Sequence, residues 1–197
     1  MPLSSVMHPK GQPKPSDGNF QGLLLAAHPG LKDPNFRRSV LFLSNHEASL
    51  GAFGFVLNRP LGKNAAELLP EHERRNLLER VPVYLGGPVG HDQLSFACFS
   101  MRADGEEDGH FESNLSLDEV AAHLERSPAT VRAFVGYAGW SAGQLEGELE
   151  QNAWVLVQPS EASLAPCPSD RLWFRVMASL GPNYKLLASV PDDPSLN

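Results

Sequence analysis

The sequence predicts a single α+β domain, and three observations carry that expectation. Short apolar runs that stop at Gly or Pro turns cluster in the first half of the chain. Helical pieces interrupt them at irregular intervals, without the strand-helix alternation of a doubly wound sheet. The composition, 42% hydrophobic and 20% charged over 197 residues, is that of a globular chain with enough length to bury one sizeable core.

Taken in order, residues 1–19, "MPLSSVMHPKGQPKPSDGN", are rich in Pro, Lys, Ser and Gly and lack an apolar segment, so they read as a tail and not a secretory signal. Gly22 to Ala27 reads as a buried strand running into the turn His28-Pro29-Gly30, and Ser39 to Ser44 repeats the pattern. A polar loop leads to a strand from Gly51 to Leu57 that stops at Asn58-Arg59-Pro60, which completes a hairpin. Asn64 is placed to cap a helix reaching Leu68 and Leu69, and Glu71 to Arg80 forms a second helical piece closed by Pro82. Val83 to Leu85 is a strand ended by Gly86-Gly87-Pro88. Gln93 to Ser100 alternates, with Leu94, Phe96 and Cys98 on one face.

The stretch "MRADGEEDGH" is an acidic loop. Ser116 followed by Glu119 spells a capping box for a helix carrying Val120 and Leu124, which Ser127-Pro128 closes. Val131 to Tyr137, Ala153 to Val157 and Tyr184 to Val190 read as strands, with helices near Glu161 and from Ser169 to Leu180. Residues 189–197 form a second tail, leaving 20–188 as the domain.

Whole-chain charge limits the function classes. A formal net charge of −7 opposes attraction to nucleic acid or anionic lipid, so direct DNA binding is not expected. The basic groups at Arg37-Arg38 and at Arg74, Arg75 and Arg80 are local, and glutamates dilute the second. The aliphatic runs Leu23 to Ala27 and Val40 to Leu43 are far shorter than a bilayer span, so no membrane segment is expected. Two cysteines, Cys98 and Cys167, lack zinc-ligand spacing; reduced thiols in a cytoplasmic protein are the expectation.

The string Gly139-Trp140-Ser141-Ala142-Gly143 has the G-x-S-x-G spelling of a hydrolase nucleophile elbow, between a strand and a helix. In that fold the histidine follows the serine in the chain, yet all seven histidines here precede Ser141. The chain also ends too soon after Ser141 for the remaining strand-helix units. Ser141 with Gln144 reads instead as a capping box, and Trp140 between glycines reads as a core plug.

Three blocks then carry a resemblance. "LLLAAHPGLKDPNFRRSVLFLSNHEASLGAFGFVLNRP", "YLGGPV" and "FVGYAGWSAGQLEGELEQNAW" resemble, in order and spacing, the YqgE/AlgH family of bacterial proteins, over roughly Gly18 to Leu187. The resemblance implies a branched, mostly antiparallel sheet with a small closed barrel among helices. It also implies that the position of Ser141 varies in the family, which a nucleophile would not tolerate. A family label of transcriptional regulator comes with it. A Leu-His pair common after "GGPV" is missing here, where the strand reads "LSFACFS".

Other chemistry weighs less. His46-Glu47 lacks the second histidine of a zinc protease motif, because Leu50 stands in its place. His28, His46 and His91 lie near strand ends without metal-ligand spacing, so neither metal nor cofactor is expected. Cys98 reads as a core residue before it reads as a thiol nucleophile. The expected binding surface joins element-end residues of the three blocks: Asn58, Arg59, Gly86, Gly87, Trp140 and Gln144. The leading reading is a non-enzymatic binding or regulatory protein that recognises a protein, peptide or small ligand. An enzyme using Ser141 or Cys98 and a DNA-binding regulator are the alternatives.

Overall fold

The structure, a computed structural model, describes residues 18–100, 110–126, 131–164 and 169–190. Most of both expected tails, the acidic loop after Ser100, the helix stop at Ser127-Pro128 and Cys167 lie outside the described residues. Within them is one α+β domain built on a mixed sheet that curls into a half-barrel. The strands are β1 Leu24–Ala27, β2 Val40–Glu47, β3 Gly51–Val56, β4 Pro60–Asn64, β5 Pro82–Leu85, β6 Val89–Ser100, β7 His110–Ser113, β8 Val131–Trp140 and β9 Trp154–Val157. The helices are α1 Ala65–Leu68, α2 Arg75–Leu78, α3 Leu117–Arg126, α4 Gln144–Glu150, α5 Glu161–Leu164, α6 Ser169–Ser179 and α7 Pro182–Ser189.

The strand order is β4-β5-β8-β3-β2-β1-β9, with β6 and β7 branching from β8. Among the described residues only β5 and β8 pair in parallel; the other pairs are antiparallel. β8 makes the branch by changing partners along its length. Ala133 to Val135 lie against β5, whereas Ala138 to Trp140 lie against β3. The change falls at Gly136, whose φ of 69° bends the strand through a region that disfavours a Cβ. Gly86 closes the seam: its N–H donates to the Val135 carbonyl, and its own carbonyl accepts from Val56 N–H, both at 2.8 Å.

The uninterrupted "LLAA" of β1 follows from burial on both faces. Leu24 and Ala26 join Phe42, Phe55, Leu172, Trp173 and Met177 under α6 and α7. Leu25 and Ala27 face the opposite way, toward Leu43, Trp140, Leu145 and Trp154 under α4. A further cluster packs α1, α2 and α3 on β5, β6 and β8, and it contains the expected face of Leu94, Phe96 and Cys98.

Several sequence expectations need correction. Tyr184 to Val190 is not a strand; it falls largely in α7, with Pro182 in its first turn. An apolar run of that length does not distinguish the two states, and Pro just inside the start was the helix signal. The chain does not stop at Pro60, which begins edge strand β4 where a missing N–H costs no ladder bond. The helix expected over Glu71 to Arg80 contracts to α2, while β6 starts earlier than Gln93 and passes through an irregularity between Val89 and Leu94. The caps at Asn64/Glu67 and Ser116/Glu119 form as expected.

Arg132 is the anomaly of the interior. It is 1% exposed and lies 5.1 Å from the Tyr84 ring centroid and 5.3 Å from that of Phe99. It donates to the Leu164 carbonyl, and its Nε has no hydrogen-bond partner. Burial pushes its pKa below the usual guanidinium value. Two ring contacts and a carbonyl offset a desolvation cost of several kcal/mol only in part. Arg132→Met is therefore expected to raise stability by about 1–2 kcal/mol, read as an increased urea midpoint; a lowered midpoint would show that the ring contacts dominate.

Candidate functional site

The connection from β1 to β2, "HPGLKDPNFRR", is tied by its own turns and by side chains from outside it. Asp33 folds its own segment: Oδ1 accepts from Asn35 N–H at 2.7 Å, and its carbonyl accepts from Arg37 N–H at 2.7 Å. Ser39 Oγ donates back to the Phe36 carbonyl at 2.6 Å. Phe36 carries the loop onto the core, with its ring 5.5 Å from that of Trp154 in an edge contact and 6.4 Å from that of Trp140. A loop so tied is preorganised, which lowers the ordering cost of any ligand it meets.

Asn58 and Arg59, expected at a binding surface, hold this loop from behind. Asn58 is 4% exposed; its Oδ1 accepts from Val40 N–H and its Nδ2 donates to the Arg38 carbonyl, each at 2.9 Å. Arg59 donates to the carbonyls of Pro34 and Arg37 at 3.2 and 3.4 Å. Burial lowers the Arg59 pKa, with Asp33 opposing and Arg37 adding to the shift. The Asn58 clamp helps hold Arg38 at a φ of 54°, a conformation costing a non-glycine residue roughly 1–2 kcal/mol.

Between this loop and the α6–α7 hairpin lies a cleft of about 510 Å³ lined by His28, Pro29, Gly30, Leu31, Lys32, Arg37, Arg38, Trp173, Leu187 and Val190. Trp173 braces its floor by donating Nε1–H to the Ala27 carbonyl at 2.8 Å. The Arg38 guanidinium lies 5.3 Å from the Trp173 ring centroid and donates to the Val190 carbonyl at 3.3 Å. His28 Nδ1 accepts from Gly30 N–H at 3.1 Å, which leaves Nε2–H as the donor of the neutral ring. Burial pushes its pKa below the ordinary histidine value and favours that neutral form.

The other expected residues are distributed as follows. Leu85 N–H donates to the Arg59 carbonyl at 2.8 Å, so Asn58, Arg59, Gly86 and Gly87 share one end of the β3–β5 seam. Trp140 pairs with Ala52 at the other end of β3, and Gln144 opens α4 beside it. The cleft is lined by none of the six; Asn58 and Arg59 reach it through the loop backbone. The sequence shows the loop's turn at His28-Pro29-Gly30 and its cations at Arg37-Arg38, whereas the facing α7 has an apolar run that suits a strand equally well.

The end of β8 is a polar knot. Glu148 Oε2 accepts both indole N–H groups, from Trp140 at 2.8 Å and Trp154 at 2.7 Å, while Oε1 accepts from Gln144 Nε2 at 3.0 Å. Ser141 is not the N-cap. Gly143 occupies that position in the left-handed region without a side-chain cap bond, because the chain turns once more before the helix begins. What survives of the capping box is Gln144 Oε1 accepting from both the N–H and Oγ of Ser141, each at 3.1 Å. His46, which pairs with Ala52 on the adjacent strand, has both nitrogens engaged. Nδ1 accepts from Phe20 N–H at 3.2 Å, and Nε2 meets Glu146 Oε1 at 2.9 Å. Cys98 is buried among Phe96, Leu115 and Val120. No cluster of three potential metal ligands occurs among the described residues.

A family model described as AlgH-like matches residues 24–185. The UPF0301 protein of Streptomyces coelicolor is 37% identical over 187 residues, covering 91% of this chain and 96% of the relative. That of Cytophaga hutchinsonii is 34% identical over 184 residues, covering 90% and 98%. The solution structure of the AlgH protein from Pseudomonas aeruginosa superposes with a TM-score of 0.65 at 30% identity, covering 92% of this chain and 99% of that one. A crystal structure from Corynebacterium diphtheriae, at 19% identity, shares the fold with a TM-score of 0.68 over 91% and 94% of the two chains.

Proposed function

We propose, from the premise that the chain belongs to the AlgH-like family, that it is a non-enzymatic binding protein whose recognition site is the cleft between the 28–38 loop and α7. The observation that carries this reading is the tied loop itself. Two buried or half-buried side chains from a separate strand end, Asn58 and Arg59, serve its backbone, and Arg38 is held in a costly conformation at the cleft wall. Backbone strain retained beside a concave surface is a mark of ligand sites.

The side chains of the enzyme alternatives are engaged otherwise. Ser141 Oγ donates to Gln144 Oε1 and not to a histidine, and Cys98 is packed in an apolar cluster. A regulatory role acts through the bound ligand, since the net charge of −7 opposes direct DNA contact. The cytoplasm is the proposed location; no described helix is long and apolar enough to cross a membrane.

Titration with a metabolite panel, followed by NMR, is expected to move the amides of residues 28–38 and the Trp173 indole N–H, while ester and thioester hydrolysis stays at background. Hydrolysis that disappears in Ser141→Ala or Cys98→Ala would overturn the proposal. So would a cleft that no panel member or cell extract perturbs.

A further inference from the structure

Edge strand β4, α1 and the first part of β6 enclose a second concave surface, a groove of about 430 Å³ that shares no lining residue with the cleft. Its floor is Leu94 and Val135, paired across β6 and β8, with Leu68 and Leu69 of α1 beside them. All four are half-buried and pack on the cluster under α1, α2 and α3. Leu61 of β4 extends the apolar surface and is 42% exposed. Aliphatic area left open at the edge of a core is area that a ligand can cover.

Both walls are fixed by the fold. Along β6, Val89 pairs with Tyr137 and Leu94 with Val135, so the residues between them leave the ladder and stand as one wall. His91 pins that wall. Its Nε2 donates to the Gly87 carbonyl at 2.9 Å, and its ring lies over Gly136, where an added Cβ would fall 2.9 Å from His91 Cδ2. A carbonyl only accepts, so the neutral ring keeps Nδ1 as an acceptor. The opposite wall, Leu61 to Lys63, lies in the irregular stretch of β4 between the Pro60–Tyr84 and Asn64–Pro82 pairs, and the Asn64/Glu67 capping box anchors its end.

The polar groups differ in sign from wall to wall. Asp92 and His91 Nδ1 are acceptors on the β6 side, and the Lys63 ammonium is a donor on the β4 side. Among the described residues no hydrogen bond or ion pair engages the side chain of Lys63 or of Asp92, so both charges are open to a ligand.

We propose that this groove is a second binding site, for a small zwitterion with an aliphatic side chain: an amino acid such as leucine, or a dipeptide of such residues. Its ammonium meets Asp92 and His91, its carboxylate meets Lys63, and its side chain covers Leu61, Leu94 and Val135. An exposed charge contributes little by itself, so the site requires both head groups together with the aliphatic body. The volume is in the range of small-molecule sites.

The test titrates leucine, leucyl-leucine, 4-methylpentanoate, 3-methylbutylamine and glycine into the full chain, read by amide NMR. Leucine or leucyl-leucine is expected to shift residues 61–69 and 91–94 and to leave residues 28–38 unmoved; the stronger of the two identifies the spacing of the head groups. The acid without an amine and the amine without an acid each bind about threefold or more weakly, and glycine leaves the groove unmoved. Asp92→Asn weakens the zwitterion and 3-methylbutylamine but not 4-methylpentanoate, whereas Lys63→Gln weakens the zwitterion and 4-methylpentanoate but not the amine. A merely structural disturbance would weaken all of them alike, and that result overturns the proposal. So does a single-headed probe that binds as tightly as the zwitterion, or glycine that binds as tightly as leucine. A zwitterion that shifts residues 28–38 in place of the groove, or none that shifts the groove, also overturns it; the last outcome leaves the cleft reading standing, because that reading rests on other residues and other ligands.

Discussion

Gly87→Ala is expected to abolish stable folding. A Cβ built on Gly87 falls 2.2 Å from the Tyr137 carbonyl carbon, 2.3 Å from its oxygen and 2.4 Å from the Ala138 nitrogen. All three are backbone atoms of β8 at the branch, where no side chain can rotate away. Relief requires moving β8 off the β5 end, and β8 also pairs with β6 and β3. A loss beyond about 4 kcal/mol follows, a large fraction of the roughly 5–15 kcal/mol that holds a domain together. Urea unfolding and soluble yield read the effect. Two glycines of the neighbouring signature block serve as controls, since neither would place a Cβ within 4 Å of another group. Gly147→Ala, inside α4, gains about 0.5–1 kcal/mol of helix propensity. Gly143→Ala loses about 1–2 kcal/mol through its φ of 73°. If Gly87→Ala behaved like Gly143→Ala, the close packing at the seam would not be what holds the branch.

Glu148→Ala is expected to be the most damaging side-chain truncation at the polar knot, lowering stability by about 3–4 kcal/mol. The carboxylate is the acceptor for the indole N–H groups of Trp140 and Trp154, whose residues are 6% and 4% exposed. Each donor left unpaired costs about 1–3 kcal/mol. Glu148→Gln keeps an oxygen for the indoles but turns an amide toward Gln144 Nε2, whose own oxygen already serves Ser141. A smaller loss of about 1–2 kcal/mol is expected for it. Near-ultraviolet circular dichroism should register the change at the tryptophans in both variants. The order Ala worse than Gln checks the mechanism; equal losses would mean that helix packing and not the carboxylate is responsible. Phe36 stacks on Trp140 and meets Trp154 edge-on, so loosening this knot should also loosen the 28–38 loop and weaken the binding proposed for the cleft.

These two predictions give the G-x-S-x-G stretch its physical content. Trp140 is a core residue tied to Glu148, Gly143 is a left-handed helix entry, and Ser141 sits on the turn between them. The elbow spelling arose because a strand that ends in a tight turn before a helix draws on the same small residues, whatever the chemistry.

Sequence alone determined what is written in a few adjacent residues. Strands within Gly22 to Ala27, Ser39 to Ser44 and Ala153 to Val157, the second of which the structure extends to Glu47, the caps at Asn64 and Ser116, the α+β class and the family blocks all rest on local period, turn chemistry or linear spacing. It failed where local signals tie, as at α7, where a short apolar run suits a strand as well as a helix. Tertiary structure alone decided the rest. That Asn58 faces the Arg38 carbonyl, that Gly86 bridges β3 and β8, that Glu148 serves two indoles, and that Arg38 meets Trp173 are contacts between distant parts of the chain. The cleft exists only because the β1–β2 loop and the last helix are brought together across the β1 core. No segment of sequence contains that geometry, because its energy comes from burial shared between elements and not from the preference of either one.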